Sequence, residues 1–375
     1  MSQTWRNLYT KMIDFIASHN EIKIEPSTIR VPKPVRPVFS QLFWDIREAF
    51  IKETNDDLLN EAQIISKNYL QIEDEIVKLI GLERIFLFPP LDNFLHNPKD
   101  TLIKSLRYPF YELLKDRISI YDFENKTSAS LISTFDSFYQ QGYETWMILA
   151  LIKLLEADSS LRVDTSEFDD DEYFAHGPGG SVEVPVPKEW RSLSFRYNLV
   201  IGLLVPHQII HSARHGTYFS FRSYIGEPEG EVDNRSTERE WLPLPVKTIE
   251  NMSENIFLVY ADKKSENLSV IGEKRYICRP DLIIESIGVE KLFNEKSLAN
   301  AKKYNEDLKP KLGTYIVSNR PLMEGGTADR EIDIILSEQA IENLSKEDMG
   351  IHFLPTGFNQ SKLKQIVNLF KVNKK

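Results

Sequence analysis

Arg279-Pro280-Asp281-Leu282-Ile283-Ile284-Glu285 is the stretch on which the fold turns. Pro280 fixes its own backbone angle and pushes the residue before it toward extended geometry. Leu282-Ile283-Ile284 then continues without a polar residue, and a strand with no polar side is one buried on both faces, so Asp281-Leu282-Ile283-Ile284 is predicted to lie inside a sheet. Downstream, Ser297 to Leu308 reads as a helix and Tyr315-Ile316-Val317 as a second apolar strand. Strand, helix, strand in that order implies a partly parallel sheet.

Working outward, short β-type runs precede this unit at Ser181 to Val186, Leu193 to Leu204, Thr217 to Ile225 and Asn255 to Ala261, and the central run itself spans Tyr276 to Glu285. Tyr218-Phe219-Ser220-Phe221-Arg222-Ser223-Tyr224 alternates as a half-buried strand should. Gly313 to Asn319 and Ile332 to Leu336 read as further strands, and Gln360 to Phe370 as a closing helix.

Toward the N-terminus the periodicity becomes helical. Trp146, Ile148, Leu149, Leu151, Ile152, Leu154 and Leu155 cover nearly every side of a helix from about Ser128 to Ala157, which marks it as buried. Further helices are predicted over Thr4 to Ser18, from Ser40 through Phe50, and over Leu58 to Ile80. Pro26, Pro32, Pro34 and Pro37 make an extended connector, Pro89-Pro90 a break, and Pro109 a kink or split in the stretch that follows Pro98. The expected fold class is therefore α/β (α+β), a helical N-terminal region over 1–125 followed by a mixed-sheet domain over 126–375.

Composition agrees with a globular chain. Of 375 residues, 41% are hydrophobic and 11% aromatic, which argues against extensive disorder. No window has the apolar length needed to cross a bilayer, and Met1 to Lys11 lacks the apolar core of a secretory signal, so a soluble, cytoplasmic protein without a membrane partner is expected. The single cysteine, Cys278, excludes an intramolecular disulfide and a cysteine-rich zinc site, and it reads as a structural thiol. A net charge of −10 counts against a uniformly basic nucleic-acid module. The charge is uneven: acid gathers in Glu167 to Glu172 and Glu227 to Glu240, while Lys302, Lys303, Lys309 and Lys311 lie close together.

An Asp beside a buried strand can hold a carboxylate rigidly toward a divalent cation. Magnesium needs only one or two such ligands, and it can activate water for attack on a phosphodiester. Here the sequence resembles the PD-(D/E)xK nuclease superfamily, and within it the nuclease subunit of McrBC-type restriction systems. Two motifs carry the resemblance: Arg279-Pro280-Asp281 with its apolar continuation, and Tyr143-Glu144-Thr145-Trp146 ahead of the apolar helix. It covers roughly 142–319 and implies a restriction-endonuclease-like core, closed by the helix Ser297 to Leu308 and the strand Gly313 to Asn319. It further implies Mg2+ held by Glu144, Asp281 and Glu285, with Asp281, Glu285 and a lysine acting on DNA.

The family's acidic-x-Lys triplet is missing from its expected strand. Asp307-Leu308-Lys309 has the spacing but sits at a predicted helix end, and the neighbours Glu290 and Lys291 would point to opposite sides of a strand. Two functions stay open. One is a component of a prokaryotic DNA defence or restriction system that cleaves DNA, with Lys291 as the first lysine to try. The other is a catalytically inactive structural or adaptor subunit, bound to a protein partner in a multi-subunit complex. On a plainer reading, Arg-Pro-Asp is an ordinary turn capped by its Asp.

A third possibility is a histidine-metal enzyme. His207, His211 and His215 are spaced four apart between Pro206 and Gly216, so a helix there would set three imidazoles near one face, whereas Ile209-Ile210 would equally suit a strand. Gly177-Pro178-Gly179-Gly180 lacks the Lys-Ser/Thr that a phosphate-binding P-loop requires.

Overall fold

The computed structural model describes residues 4–162, 187–195, 208–223, 241–243, 256–269, 276–288, 295–319 and 350–370. It is a mixed α/β chain, with helices in the N-terminal part and a large mixed sheet after them.

Helix α1 (Trp5–Ser18) starts where the hydroxyl of Thr4 accepts from the amide of Asn7 at 3.3 Å, satisfying one of the donors a helix start leaves open. In α2 (Arg36–Thr54) a proline lies in the first turn, where its missing N–H costs nothing. Helix α3 (Asp56–Ile80) opens on Asp56 and Asp57, acids suited to the positive end of the helix dipole. Then come α4 (Pro89–His96), α5 (Pro98–Ser105), α6 (Arg107–Leu114) and the long α7 (Ile120–Leu154). Pro89-Pro90 opens a helix as well as ending the stretch before it, and the split expected around Pro109 falls at Leu106, between α5 and α6. Between α1 and α2 the connector forms a small antiparallel pair, β1 (Lys23–Ile24) with β2 (Ile29–Arg30).

The chain divides into two compact units: Met1–Leu70 with Pro89–Gly142, and Gln71–Phe88 with Tyr143–Lys375. The first unit is held by a nest of aromatic rings. Phe123 lies 5.5 Å from Trp5, 5.0 Å from Phe50 and 5.9 Å from Phe110, centroid to centroid. Inside it Arg47 is buried, and its guanidinium donates to the carbonyls of Phe43 at 2.8 Å and Ile103 at 3.0 Å. Those two bonds let a desolvated charge stay in the core, although burial lowers its pKa to about 10.

In the second unit β3 (Arg84–Phe86) pairs in parallel with β6 (Ser192–Ser194). The other described strands are β4 (Ser159–Arg162), β5 (Lys188–Glu189), β7 (Gln208–Ser212), β8 (Thr217–Ser223), β9 (Trp241–Pro243), β10 (Ile256–Asp262), β11 (Tyr276–Cys278), β12 (Leu282–Ile287), β13 (Thr314–Ser318) and β14 (Ile351–Pro355). Helices α8 (Glu266–Ser269), α9 (Glu295–Leu308) and α10 (Gln360–Leu369) complete the described elements. Eight strands form one sheet in the order β14-β13-β12-β10-β8-β7-β4-β5. The run expected as one strand from Tyr276 to Glu285 is two, because Pro280 has no N–H to give a ladder. β11 pairs with β9, placing Cys278 opposite Trp241, while β12 joins the large sheet.

β12 is where the sheet changes sense. It is antiparallel to β10 and, through the crossover helix α9, parallel to β13. Register and the two-residue period of a strand assign its faces. Glu285 lies level with Ile256 and Ile316, and Ile316 packs with Ile287, Ala301 and Ile351, so this is the face that α9 covers. Phe219 belongs to the other face, with its ring 5.2 Å from that of Phe370 at the end of α10. Lys153 near the end of α7 donates to Gln360 on α10 at 2.9 Å, so the last turns of α7 share that second side. Helices on both faces explain why all of Leu282–Ile287 is buried, Glu285 and Ser286 included, beyond the Leu282–Ile284 run whose composition called for it.

Candidate functional site

The Arg279-Pro280-Asp281 triplet is sewn to the turn that follows α9. The amide of Lys311 donates to the carbonyl of Pro280 at 3.2 Å, and that of Leu312 to the carbonyl of Asp281 at 2.8 Å. Arg279 Nε donates to the carbonyl of Lys309. On the other side the amide of Asp281 donates to the carbonyl of Val259 in β10 at 2.9 Å. The Asp281 side chain bridges the same segments: Oδ2 accepts from the amide of Ala261 at 2.6 Å, and Oδ1 from Lys311 Nζ at 3.0 Å. Asp281 is only 8% exposed. This carboxylate therefore joins β10, β12 and the approach to β13.

Lys311 is the lysine that reaches Asp281, and the sequence reading passed over it. It precedes β13, so only the parallel pairing of β12 with β13 brings it to the start of β12. Lys291, the lysine expected first, lies outside the described residues together with Glu290, His207, the acidic run Glu167 to Glu172 and the Gly177 to Gly180 cluster. Asp307-Leu308-Lys309 ends a helix as expected, since α9 stops at Leu308 and the amide of Lys309 bonds back to Asn305 at 3.1 Å.

Glu285 lies inside β12, four residues beyond Asp281, which precedes the strand in a bend. Its neighbours across the strands are Ile256 and Ile316, it is 2% exposed, and its Oε2 has no hydrogen-bond partner among the described residues. Burial pushes its carboxyl up to about 7.

Glu144 is buried on α7. The residues beside it look toward the chain after β14: the Tyr143 hydroxyl bonds that of Thr356, and the Trp146 ring lies 5.0 Å from that of Phe358. Asp281 thus sits at the entrance to β12 and Glu285 within the strand, while Glu144 is on a helix of the side opposite Glu285. Among the described residues, no group of three or more His, Cys, Asp or Glu side chains could hold an ion. A magnesium ion needs its oxygen ligands at about 2.1 Å, and Asp281 already receives a backbone amide on one oxygen and an ammonium on the other. As the described residues stand, Glu144, Asp281 and Glu285 are not gathered into one three-carboxylate group.

The histidine expectation is corrected. Residues 208–212 form strand β7, not a helix. Ile209 and Ile210 are β-branched and pack into the sheet from both sides, which favours the strand. His211 Nδ1 lies 2.7 Å from Asp158 Oδ1, while Asp158 Oδ2 accepts from the amide of Ala213 at 2.6 Å. His215 falls in the turn that leads to β8, beyond the end of β7. The helix over residues 206–215 that a three-histidine metal site required is not formed, because 208–212 is a strand.

What the geometry builds around Asp281 is a buried, neutralised staple. No family model, curated protein or solved structure matches this chain.

Proposed function

We propose that this chain is a non-cleaving subunit of a prokaryotic DNA defence or restriction assembly, one that keeps a nuclease-like arrangement of elements and works by binding a protein partner. The commitment of both Asp281 oxygens to the fold carries this reading: one holds the amide of Ala261 and the other the ammonium of Lys311. The likeness in Arg279-Pro280-Asp281 and Tyr143-Glu144-Thr145-Trp146 supports a nuclease-like ancestry. So does the order of elements, in which α7 precedes the antiparallel run β8, β10, β12, and α9 and β13 follow in the closing positions.

Plasmid cleavage by the purified chain with Mg2+ or Mn2+, beside Asp281→Asn, tests it. Neither protein should nick or linearise the plasmid. Cleavage by the native chain that disappears in Asp281→Asn would overturn the proposal and make Lys311 the lysine of an active site.

A further inference from the structure

We propose that the exposed side chains of Arg84, Phe88, Arg162 and the Lys188–Arg191 segment, carried on the β3–β6 pair and the strands beside it, bind single-stranded nucleic acid. All of these residues belong to the second unit. They form one continuous surface: the amide of Trp190 donates to the carbonyl of Ser160 at 2.9 Å, that of Glu83 to the carbonyl of Arg191 at 2.7 Å, and Arg84 pairs with Ser192.

Two features of this surface point to a ligand with flat faces and negative charge. Rings stand in the open, Trp190 at 44% exposed and Phe88 at 51%. Guanidinium groups already lie over rings, with Arg162 5.1 Å from the Trp190 centroid and Arg84 4.9 Å from that of Phe86. The chain carries 56 acidic against 46 basic residues, so a surface arginine here should readily find a carboxylate. Neither Arg84 nor Arg162 has an ion-pair partner among the described residues. Arg191 has Glu83 at 3.6 Å, but both side chains are more than 70% exposed, so solvent screens the pair and a phosphate can displace it.

Exposed aromatic faces take unstacked bases, and arginines beside them take phosphates and stack in turn. A duplex hides its base faces and would use only the charges. A protein partner can also use rings and arginines; guanidiniums stacked beside exposed rings favour the single strand, whose phosphates and base faces take both at once. These residues are separate from Asp281 and Glu285, and the inference stands whether or not the chain cleaves DNA.

Fluorescence anisotropy of a labelled oligothymidylate, titrated with the full chain at low and moderate salt, tests it. Binding should weaken as salt rises. Trp190→Ala, and Arg84→Ala combined with Arg162→Ala, should each weaken it by roughly five-fold or more, the scale of one lost base stack. Trp190→Phe, which keeps a ring, should stay near the native affinity, and circular dichroism melting of each variant confirms the fold. No binding, an unchanged affinity in Trp190→Ala, or a duplex bound as tightly as the single strand would each overturn it. The last outcome would leave a purely electrostatic surface, and the first would leave a protein contact.

Discussion

Lys311 places its ammonium 3.0 Å from Oδ1 of Asp281, and the pair closes the sheet at β12, the strand where antiparallel pairing gives way to parallel. The two partners are unequal. Asp281 is almost wholly buried, whereas the Lys311 side chain is 46% exposed. Most of the Asp281 contribution therefore comes from its 2.6 Å bond to the partly buried Ala261 amide, and less from the more exposed ammonium.

That inequality gives a ranking. Asp281→Ala removes the charged acceptor of a partly buried amide and should cost about 1.5–3 kcal/mol. Lys311→Ala should cost under about 1 kcal/mol, as for a solvent-screened ion pair. Asp281→Asn keeps an acceptor and should fall between them. Urea denaturation monitored by circular dichroism measures all three. A Lys311→Ala loss as large as that of Asp281→Ala would mean that the ion pair, and not the backbone bond, carries the staple.

The sheet's centre was readable in the sequence because its residues can do little else. Leu282-Ile283-Ile284 has no polar side, and the helical period of 297–308 followed by Tyr315-Ile316-Val317 forces a crossover. Strands whose residues are mixed were missed. Ser159-Ser160-Leu161-Arg162 became β4 and Ile351-His352-Phe353-Leu354-Pro355 became β14 because neighbouring strands supplied their hydrogen bonds. The site was harder still. Asp281 and Glu285 could be named from the strand alone, but the partner Lys311 follows from the register of β13 on β12, a long-range property that no local window contains. Glu144 had the right neighbours in sequence, yet its helix went to the side of the sheet opposite Glu285.

Glu285 should make stability depend on pH in an unusual direction. Its carboxyl ionises near 4.5 in the unfolded chain and near 7 in the folded one, because burial disfavours the charged form. The stability linked to this group is thus full below 4.5, declines as pH rises toward 7 and stays low above that. A shift from 4.5 to about 7 corresponds to roughly 3 kcal/mol. Glu285→Gln removes the ionisation, so it should be more stable than the native chain at pH 8, with the difference vanishing near pH about 4.5. Unfolding curves at both pH values check this. An equal difference at the two would mean that Glu285 does not titrate between them.

Two glycines offer the last comparison, since both have positive φ and only one is crowded. Gly216, in the β7–β8 turn, has φ +57, and a Cβ there would meet nothing within 4 Å. Gly216→Ala should therefore cost only the left-handed strain of about 1–2 kcal/mol. Gly313 has φ +91, and a Cβ there would sit 2.5 Å from the carbonyl oxygen of Gly350. That oxygen cannot retreat freely, because it accepts from the amide of Thr314 at 2.7 Å, and Gly313's own carbonyl accepts from Ile283 at 3.2 Å. A methyl group at Gly313 would press on the starts of β12, β13 and β14 together. Gly313→Ala should lose about 3 kcal/mol or more, clearly beyond Gly216→Ala. Thermal unfolding of the two variants side by side decides it. Equal losses would show that backbone strain alone, and not the close approach of Gly313 to Gly350, makes glycine necessary at the parallel edge of the sheet.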